Sequence, residues 1–478
     1  MKSRKLVALF VFLLVISNTL TYFFARNKEA GICSDNENEL GGFFVSEETP
    51  ANNDEALPLL REVLEIIRNY YIDEVDIKKL EEGAIRGMLE TLGDPQTNFF
   101  NRESMEDMLL QVMGSYGGIG IHIANLGENV VIVSPIRSTP GEKAGLLAGD
   151  LIIEVDGENI KGLSANEVAS ILRGTPGEPV TLKVNREGIG ELEFTITREM
   201  IELDSVYAEM LPEGIGYIYI SNFDSTTGVE FSEALDRLEK ENIDGLILDL
   251  RDNPGGILTE AIRVAEAIVP AGPITHVVDG DDEILDTYYS RQKKKPYPIV
   301  TLVNSYSASA AEILAGALQD NGSPLVGTKT FGKATVQNLL NLPDKMGLRY
   351  TVAKYRTPNG RNIHGEGLEP DYVIELPAFF QLPLNALPED GGLQKGDSGE
   401  AVEILKEMLR ALGYDSGYGN FFDARLETAL RLFQRNNDLA PTGKFSSETH
   451  AVVCREMDDL LARSDTQLEK ALAVIKGR

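Results

Sequence analysis

Apolar residues change their spacing along this chain, and each change predicts a different element. Leu60, Val63, Leu64 and Ile67, followed by Leu80, Ile85, Met88 and Leu89, recur at helical intervals. They predict a pair of helices over 56–92, divided near 70–76. From 104 to 198 the pattern shortens to strands punctuated by glycine ("YGGIGIHI", "NVVIVSPI", "LLAGDLIIEVDG"). Beyond 199 it alternates. Ile215–Ile220, Leu246–Leu250, Ile299–Val303 and Leu325–Val326 read as buried strands, while Glu230–Lys240, Leu258–Ile268 and Ala310–Leu318 read as helices. Strand-helix alternation of this kind predicts an α/β core with ligands beyond the strand ends. A proline-marked linker (381–392) leads to two amphipathic runs, Val402, Leu405, Leu409, Leu412 and then Leu426, Ala429, Leu430, Phe433.

The start of the chain obeys another rule. Lys2, Arg4 and Lys5 precede an uncharged stretch from Leu6 to Phe24. At helical rise such a stretch just crosses a bilayer core, and the basic cluster keeps the N-terminus inside. Residues 1–25 therefore predict a membrane anchor with the remainder extracytoplasmic. A cleaved signal segment, which would release a secreted protein, is the rival, but no A-x-A pattern follows. Residues 26–55 are acidic and patternless, a tether. The fold expected is multidomain α/β: helices at 56–100, a β-rich domain at 101–198, an α/β core at 199–380 and a helical module with its tail at 393–478.

Composition narrows the partners. Hydrophobic residues make up 42% and charged residues 25%, as in globular proteins. The net charge of −30 repels a phosphate backbone, so no nucleic-acid partner is expected. Only Cys33 and Cys454 are present, which gives no disulfide framework. No two of His122, His276, His364 and His450 are close in sequence, so neither metal nor cofactor is expected.

The candidate chemistry lies in three short stretches. In "NSYSASAAEILAGALQD", Ser309 and Glu312 fit a capping box at a helix start, and equally an exposed serine nucleophile at the positive end of that helix. In "LDLRDNPGG", Gly255 and Gly256 let backbone amides approach a ligand and, with the Ala310 amide, supply donors of the oxyanion-hole type. "TFGKATVQ" sets Lys333 among apolar neighbours, where lost hydration lowers an amine toward a usable base. Gln337, four residues on, returns to the same face in helix or strand and can orient it.

Three resemblances join these pieces. "STPGEKAGLLAGDLIIEVDG" resembles a PDZ domain. It makes Gly117, Gly118, Ile119, Gly120 and Ile121 the expected peptide-binding segment, where a free C-terminus is held and the peptide adds as a strand. "GDSGEAV", "LGY" and "ALRLFQ" resemble the small three-helix peptidoglycan-binding module, with Lys406 and Glu427 departing from its usual residues. The ordered set N-x-x-S-A-S-A-x-E, G-x-x-T-F-G-K-x-x-V-Q, L-D-L-R-x-N-P-G-G and "YRTPNGRNIHGEGLEPD" resembles the carboxyl-terminal processing peptidases. That resemblance implies Ser309 as nucleophile, Lys333 as general base and Gln337 as its orienting residue. It implies a serine endopeptidase acting on proteins with a free C-terminus, with Arg173 in "LRGTPGEP" a candidate for coupling the PDZ domain to the core. A Ser–His–Asp triad using His364 is the rival within enzymes, and an inert wall-anchored PDZ scaffold the rival outside them. The helices at 56–92 serve either a homodimer or the core.

Overall fold

In the computed structural model, the described residues are 58–477 except 106–107, 109–113, 128, 187, 203, 384–385 and 389–390. The predicted membrane segment and tether lie outside them, and among the described residues no helix is long and apolar enough to cross a membrane. Helix Pro58–Tyr70 belongs to a unit of its own that ends at Val75. Everything from Asp76 onward forms the second unit. It opens with helix Ile77–Glu90, whose first turn is capped by the Asp76 carboxylate accepting from the Lys78 and Lys79 amides.

The predicted α/β core is present. Its six-stranded sheet runs in the order Val206–Leu211, Ile215–Ile220, Gly245–Asp249, Ile299–Val303, Leu325–Gly327, Tyr372–Val373. The first pair is antiparallel and the rest parallel. Every residue of Gly245–Asp249 and Ile299–Val303 is buried, which is why these central strands read as unbroken apolar runs. Helices Thr227–Lys240, Leu258–Ile268 and Ala310–Asp320 connect the strands.

A second, antiparallel sheet was not expected from the sequence. It joins Asn98–Phe100, Gly347–Arg356, Gly272–Val278 and Ile284–Ser290, with Thr335–Asn341 also paired to Gly347–Arg356. This sheet carries Gln337 and the residues that follow Lys333.

The inserted β-rich domain is a sheet ordered Ile121–Leu126, Asn129–Pro135, Leu151–Val155, Pro179–Arg186, Gly190–Thr197, with helix Ala165–Leu172 against its core. Ile121–Leu126 is an edge strand. The domain joins the α/β core through a two-stranded ribbon, Ser115–Gly118 against Glu199–Glu202.

The C-terminal module packs helices Glu400–Ala411, Ala424–Asn436 and Ser447–Arg463 around Leu405, Met408, Leu430 and Phe433. Leu387, within the stretch read as a linker, is buried in the same core. The tail then returns to the α/β core. Helix Thr466–Ile475 lays Leu468, Ala471, Leu472 and Ile475 over Ile215, Ile247, Val300, Leu302 and Val326 of the six-stranded sheet.

Candidate active site

The serines that prompted two readings have separate positions. Ser305 is exposed. Ser307 is fully buried, its hydroxyl donating to the Leu250 carbonyl (2.7 Å) and accepting from the Asn304 amide (2.9 Å). Ser309 stands at the N-cap of helix Ala310–Asp320, half-buried, with φ +56° and ψ −118°. A non-glycine residue in that region is strained by about 1–3 kcal/mol and persists only where its surroundings enforce it, a pattern that clusters at functional sites.

The enforcement comes from Glu312, which is fully buried. Its Oε2 accepts from the Ser309 amide (2.9 Å), as in a capping box, and also from the Lys333 amide (2.8 Å). Its Oε1 accepts from Thr330 Oγ1 (2.6 Å) and the Gly332 amide (2.7 Å). One carboxylate thus fastens the serine turn to the lysine segment. The sequence showed only the local half of this role, because the other three donors lie at 330–333.

Lys333 is half-buried, and its amine is held below the ordinary lysine range by burial first and by the Arg349 charge second, against the opposing pull of Asp94 and Glu312. Tyr355, which is buried, donates its hydroxyl to the Lys333 carbonyl. Burial, reinforced by Glu312, raises this phenol far above its usual range, and a hydrogen bond with Ser309 opposes the rise. A neutral Tyr355 is therefore tied to the Lys333 backbone, a neighbour that the motifs did not mark. Among the described residues, no hydrogen bond joins Lys333 Nζ to Ser309 Oγ. Gln337 lies on strand Thr335–Asn341 and donates Nε2 to Thr335 Oγ1 (2.7 Å).

The glycine turn faces the serine. A Cβ on Gly255 would lie 2.7 Å from Ser309 Cβ and 2.9 Å from the Ala310 nitrogen. The Gly255 amide is itself committed to Asn253 Oδ1 (2.8 Å), and Asn253, fully buried, also binds the Ile220 and Ala308 backbones. Among the described hydrogen bonds none uses the Gly256 amide, which leaves it and the Ala310 amide at the helix start as the uncommitted donors of the three. Gly256 has no alternative, since a Cβ there would sit 2.0 Å from the Phe223 carbonyl oxygen. Phe223 in turn clamps the turn, its amide on Gly255 (2.9 Å) and its carbonyl on Ile257 (2.7 Å).

No histidine ring is bonded to Ser309 among the described residues. The His276 ring is taken by Thr287 and the Pro358 carbonyl, and His364 is exposed on a loop whose Gly365 amide reaches the Gly332 carbonyl (2.8 Å). Among the described residues there is no cluster fit to hold a metal.

In the inserted domain, Gly118, Ile119, Gly120 and Ile121 line a small groove of about 60 Å³ together with Tyr116, Ala169 and Leu172. Gly117 lies in the ribbon instead, opposite Met200, its carbonyl accepting from the Gly174 amide (3.0 Å). Arg173 also lines the groove, its guanidinium 5.3 Å from the centre of the Tyr116 ring. In the C-terminal module Lys406 is buried, its Nζ on Asp423 (3.2 Å) and the Tyr418 carbonyl (3.1 Å), so this departure from the usual residue forms an internal ion pair.

The protease core, with an inserted PDZ domain, has the parts of a serine-type peptidase, and comparison with known proteins agrees. Family profiles match peptidase family S41 at residues 214–374, a PDZ domain at 131–186, the activating protease CtpB N-terminal domain at 14–104 and a peptidoglycan binding domain at 398–453. Carboxy-terminal processing protease CtpA of Bacillus subtilis is 34% identical over 99% of both chains. CtpB of the same organism is 33% identical over 88% of this chain and 89% of its own. Among solved structures, the photosystem II D1 C-terminal processing protease is 30% identical, covering 67% of this chain and 94% of its own, with a TM-score of 0.39. The chain belongs to peptidase family S41, among the carboxy-terminal processing proteases.

Proposed function

We propose that this peptidase works by a Ser–Lys dyad. Lys333, uncharged, takes the proton of Ser309 as the serine attacks a peptide carbonyl, and the Gly256 and Ala310 amides hold the oxyanion. Gln337 orients the amine. The observation that carries this reading is the Glu312 carboxylate, which binds the backbones of Ser309 and Lys333 at once.

The substrate is a protein with a free C-terminus. Its last residues add to the open edge of strand Ile121–Leu126 and place a small apolar side chain in the groove beside Leu172. The N-terminal segment anchors the protein in the cell membrane, the catalytic body is extracytoplasmic, and the C-terminal module binds peptidoglycan. Helix Pro58–Tyr70, which buries none of its residues, pairs with a second copy in a homodimer; light scattering of the purified protein reads this directly.

The deciding assay incubates the purified extracytoplasmic part with an unstructured peptide in free-acid and C-terminally amidated forms. Cleavage of the free acid alone, abolished in Ser309→Ala and Lys333→Ala at unchanged melting temperature, supports the proposal. Equal cleavage of both forms sinks C-terminal recognition. Activity surviving in Lys333→Ala sinks the dyad, and His364→Gln matching Ser309→Ala would install the triad in its place.

A further inference from the structure

Strand Gly245–Asp249 ends in a buried carboxylate that gathers the start of the glycine turn. Asp249 Oδ1 accepts from the Arg251 amide (3.0 Å), and Oδ2 from Arg251 Nη2 (2.6 Å) and the Tyr217 hydroxyl (2.7 Å). The other arm of the guanidinium, Nη1, reaches the tail, with Asp465 Oδ2 at 2.8 Å and Gln467 Oε1 at 3.2 Å. The Arg251 and Asp465 side chains are each 13% exposed, so water and salt screen the pair little. Each Asp465 oxygen has its own task, since Oδ1 accepts from the Leu468 amide (2.9 Å) and caps helix Thr466–Ile475. The tail is fastened in turn: Gln467, buried, donates Nε2 to the Ile374 carbonyl (2.8 Å), and Thr466 donates its hydroxyl to the Glu375 carbonyl (3.0 Å).

Immediately after Arg251 the chain turns over. Asp252 has φ +59°, uncommon for a residue with a Cβ. Asn304 of the serine loop grips it, accepting its amide (3.0 Å) and donating Nδ2 to its carboxylate (2.9 Å). Asn253 then fixes the Gly255 amide and receives that of Ala308. The turn is therefore held to the serine loop by Asn304 and Asn253, and at its entry by Arg251. We propose that Asp465 is a positioning residue for the peptidase reaction: it fixes the Arg251 side chain and with it the entry of the turn whose Gly256 amide holds the oxyanion. The proposal rests on the Ser–Lys reading, in its oxyanion part. Without Asp465 the guanidinium keeps Asp249 but loses its charged partner on the tail, and the turn's entry can rock about Asp249. Pro254, its φ set by the ring, passes the displacement on to the glycines. An oxyanion donor works over about 2.7–3.1 Å, so a fraction of an ångström counts. The segment beyond the wall module is thus part of the peptidase, and full activity requires it seated.

The test compares the parent with Asp465→Ser, in which a serine still caps the helix but is too short to reach Arg251. Three readings are taken: kcat and KM on a peptide with a free C-terminus, the affinity for a peptide boronate whose tetrahedral adduct on serine mimics the oxyanion, and the melting temperature. Expected in Asp465→Ser are a kcat about 10-fold lower, boronate affinity lower by the same factor, and KM and melting temperature nearly unchanged. Thr466→Ala, which loses the Glu375 bond and keeps the bridge to Arg251, retains the parent's kcat. A merely structural role lowers the melting temperature and leaves kcat and boronate affinity of the folded protein as they were, which overturns the inference. So does a loss in Thr466→Ala equal to that in Asp465→Ser, because docking of the tail would then suffice. Where Asp465→Ser does not fold, Asp465→Asn, which keeps size and cap and loses the charge, decides by the same readings with a fall of a few-fold. Cleavage surviving in Ser309→Ala is a separate result, and it removes the Ser–Lys reading instead.

Discussion

At the scale of single residues, the proposed nucleophile Ser309 sets stability against function. Its positive φ costs about 1–3 kcal/mol, whereas glycine in place of serine at an N-cap costs only a few tenths. Ser309→Gly is therefore expected to raise the melting temperature while abolishing cleavage; calorimetry beside a peptide-cleavage assay reads both. A serine kept only to cap its helix predicts the opposite change in stability. Glu312 gives the complementary case. A carboxylate accepts four donors there, but an amide supplies one oxygen and turns its NH₂ toward backbone N–H groups that also donate. Glu312→Gln leaves buried donors unmet at about 1–3 kcal/mol each. Expected are a melting point several degrees lower and kcat down by about 100-fold or more, since the turn and the lysine segment lose their common tie. A kcat within a few-fold of the parent would show that Glu312 only stabilises the fold.

At the scale of elements, the tail helix is the most consequential piece. It covers Val300, Leu302 and Val326, and its cap Asp465 pairs with Arg251 (2.8 Å), two residues before the Asn253 that fixes the glycine turn. Deleting 464–478 bares that sheet face and removes a charge partner from Arg251. The expected product is aggregated or melts at least about 10 °C lower in circular dichroism, whereas a tail that is merely appended leaves the transition unchanged. This docking was not legible in the sequence. Leu468, Leu472 and Ile475 announce an amphipathic helix but not the surface it covers, roughly a hundred residues or more away along the chain. The antiparallel second sheet was missed for a related reason. Thr335–Asn341 mixes polar with apolar residues because one face carries Gln337, so it lacks the apolar run that betrayed Ile299–Val303. The central strands, the helices between them and the motif stretches were legible, since burial on both faces or a glycine forced by a close contact leaves its mark locally.

At the scale of the whole molecule, the question is how the PDZ domain reaches the chemistry. The ribbon Ser115–Gly118 begins just after Gly114, which is buried against the protease core. Gly114 has φ +63°, and a Cβ there would lie 2.4 Å from Asp224 Cγ. Asp224 is itself buried and held by the Thr226 amide (3.0 Å) and the Thr226 hydroxyl (2.8 Å), so it has little room to yield. Its neighbour Phe223 is the residue that clamps Gly255, Gly256 and Ile257. The contact chain therefore runs from the ribbon through Gly114, Asp224 and Phe223 to the glycine turn facing Ser309, each step a packed or hydrogen-bonded contact with no slack to absorb a shift. Arg173, by contrast, stacks on Tyr116 within the groove itself. The two sites separate kinetically. Arg173→Ala is expected to weaken capture, raising KM about 10-fold with kcat nearly kept. Gly114→Ala leaves the groove untouched, so a fluorescent peptide with a free C-terminus binds it as tightly as the parent by anisotropy, while kcat falls about 10-fold or more because the displaced Asp224 drags Phe223 and the oxyanion turn with it. An unchanged kcat in Gly114→Ala, with the variant folded, would break this route and leave the domain a passive clamp on the substrate's end.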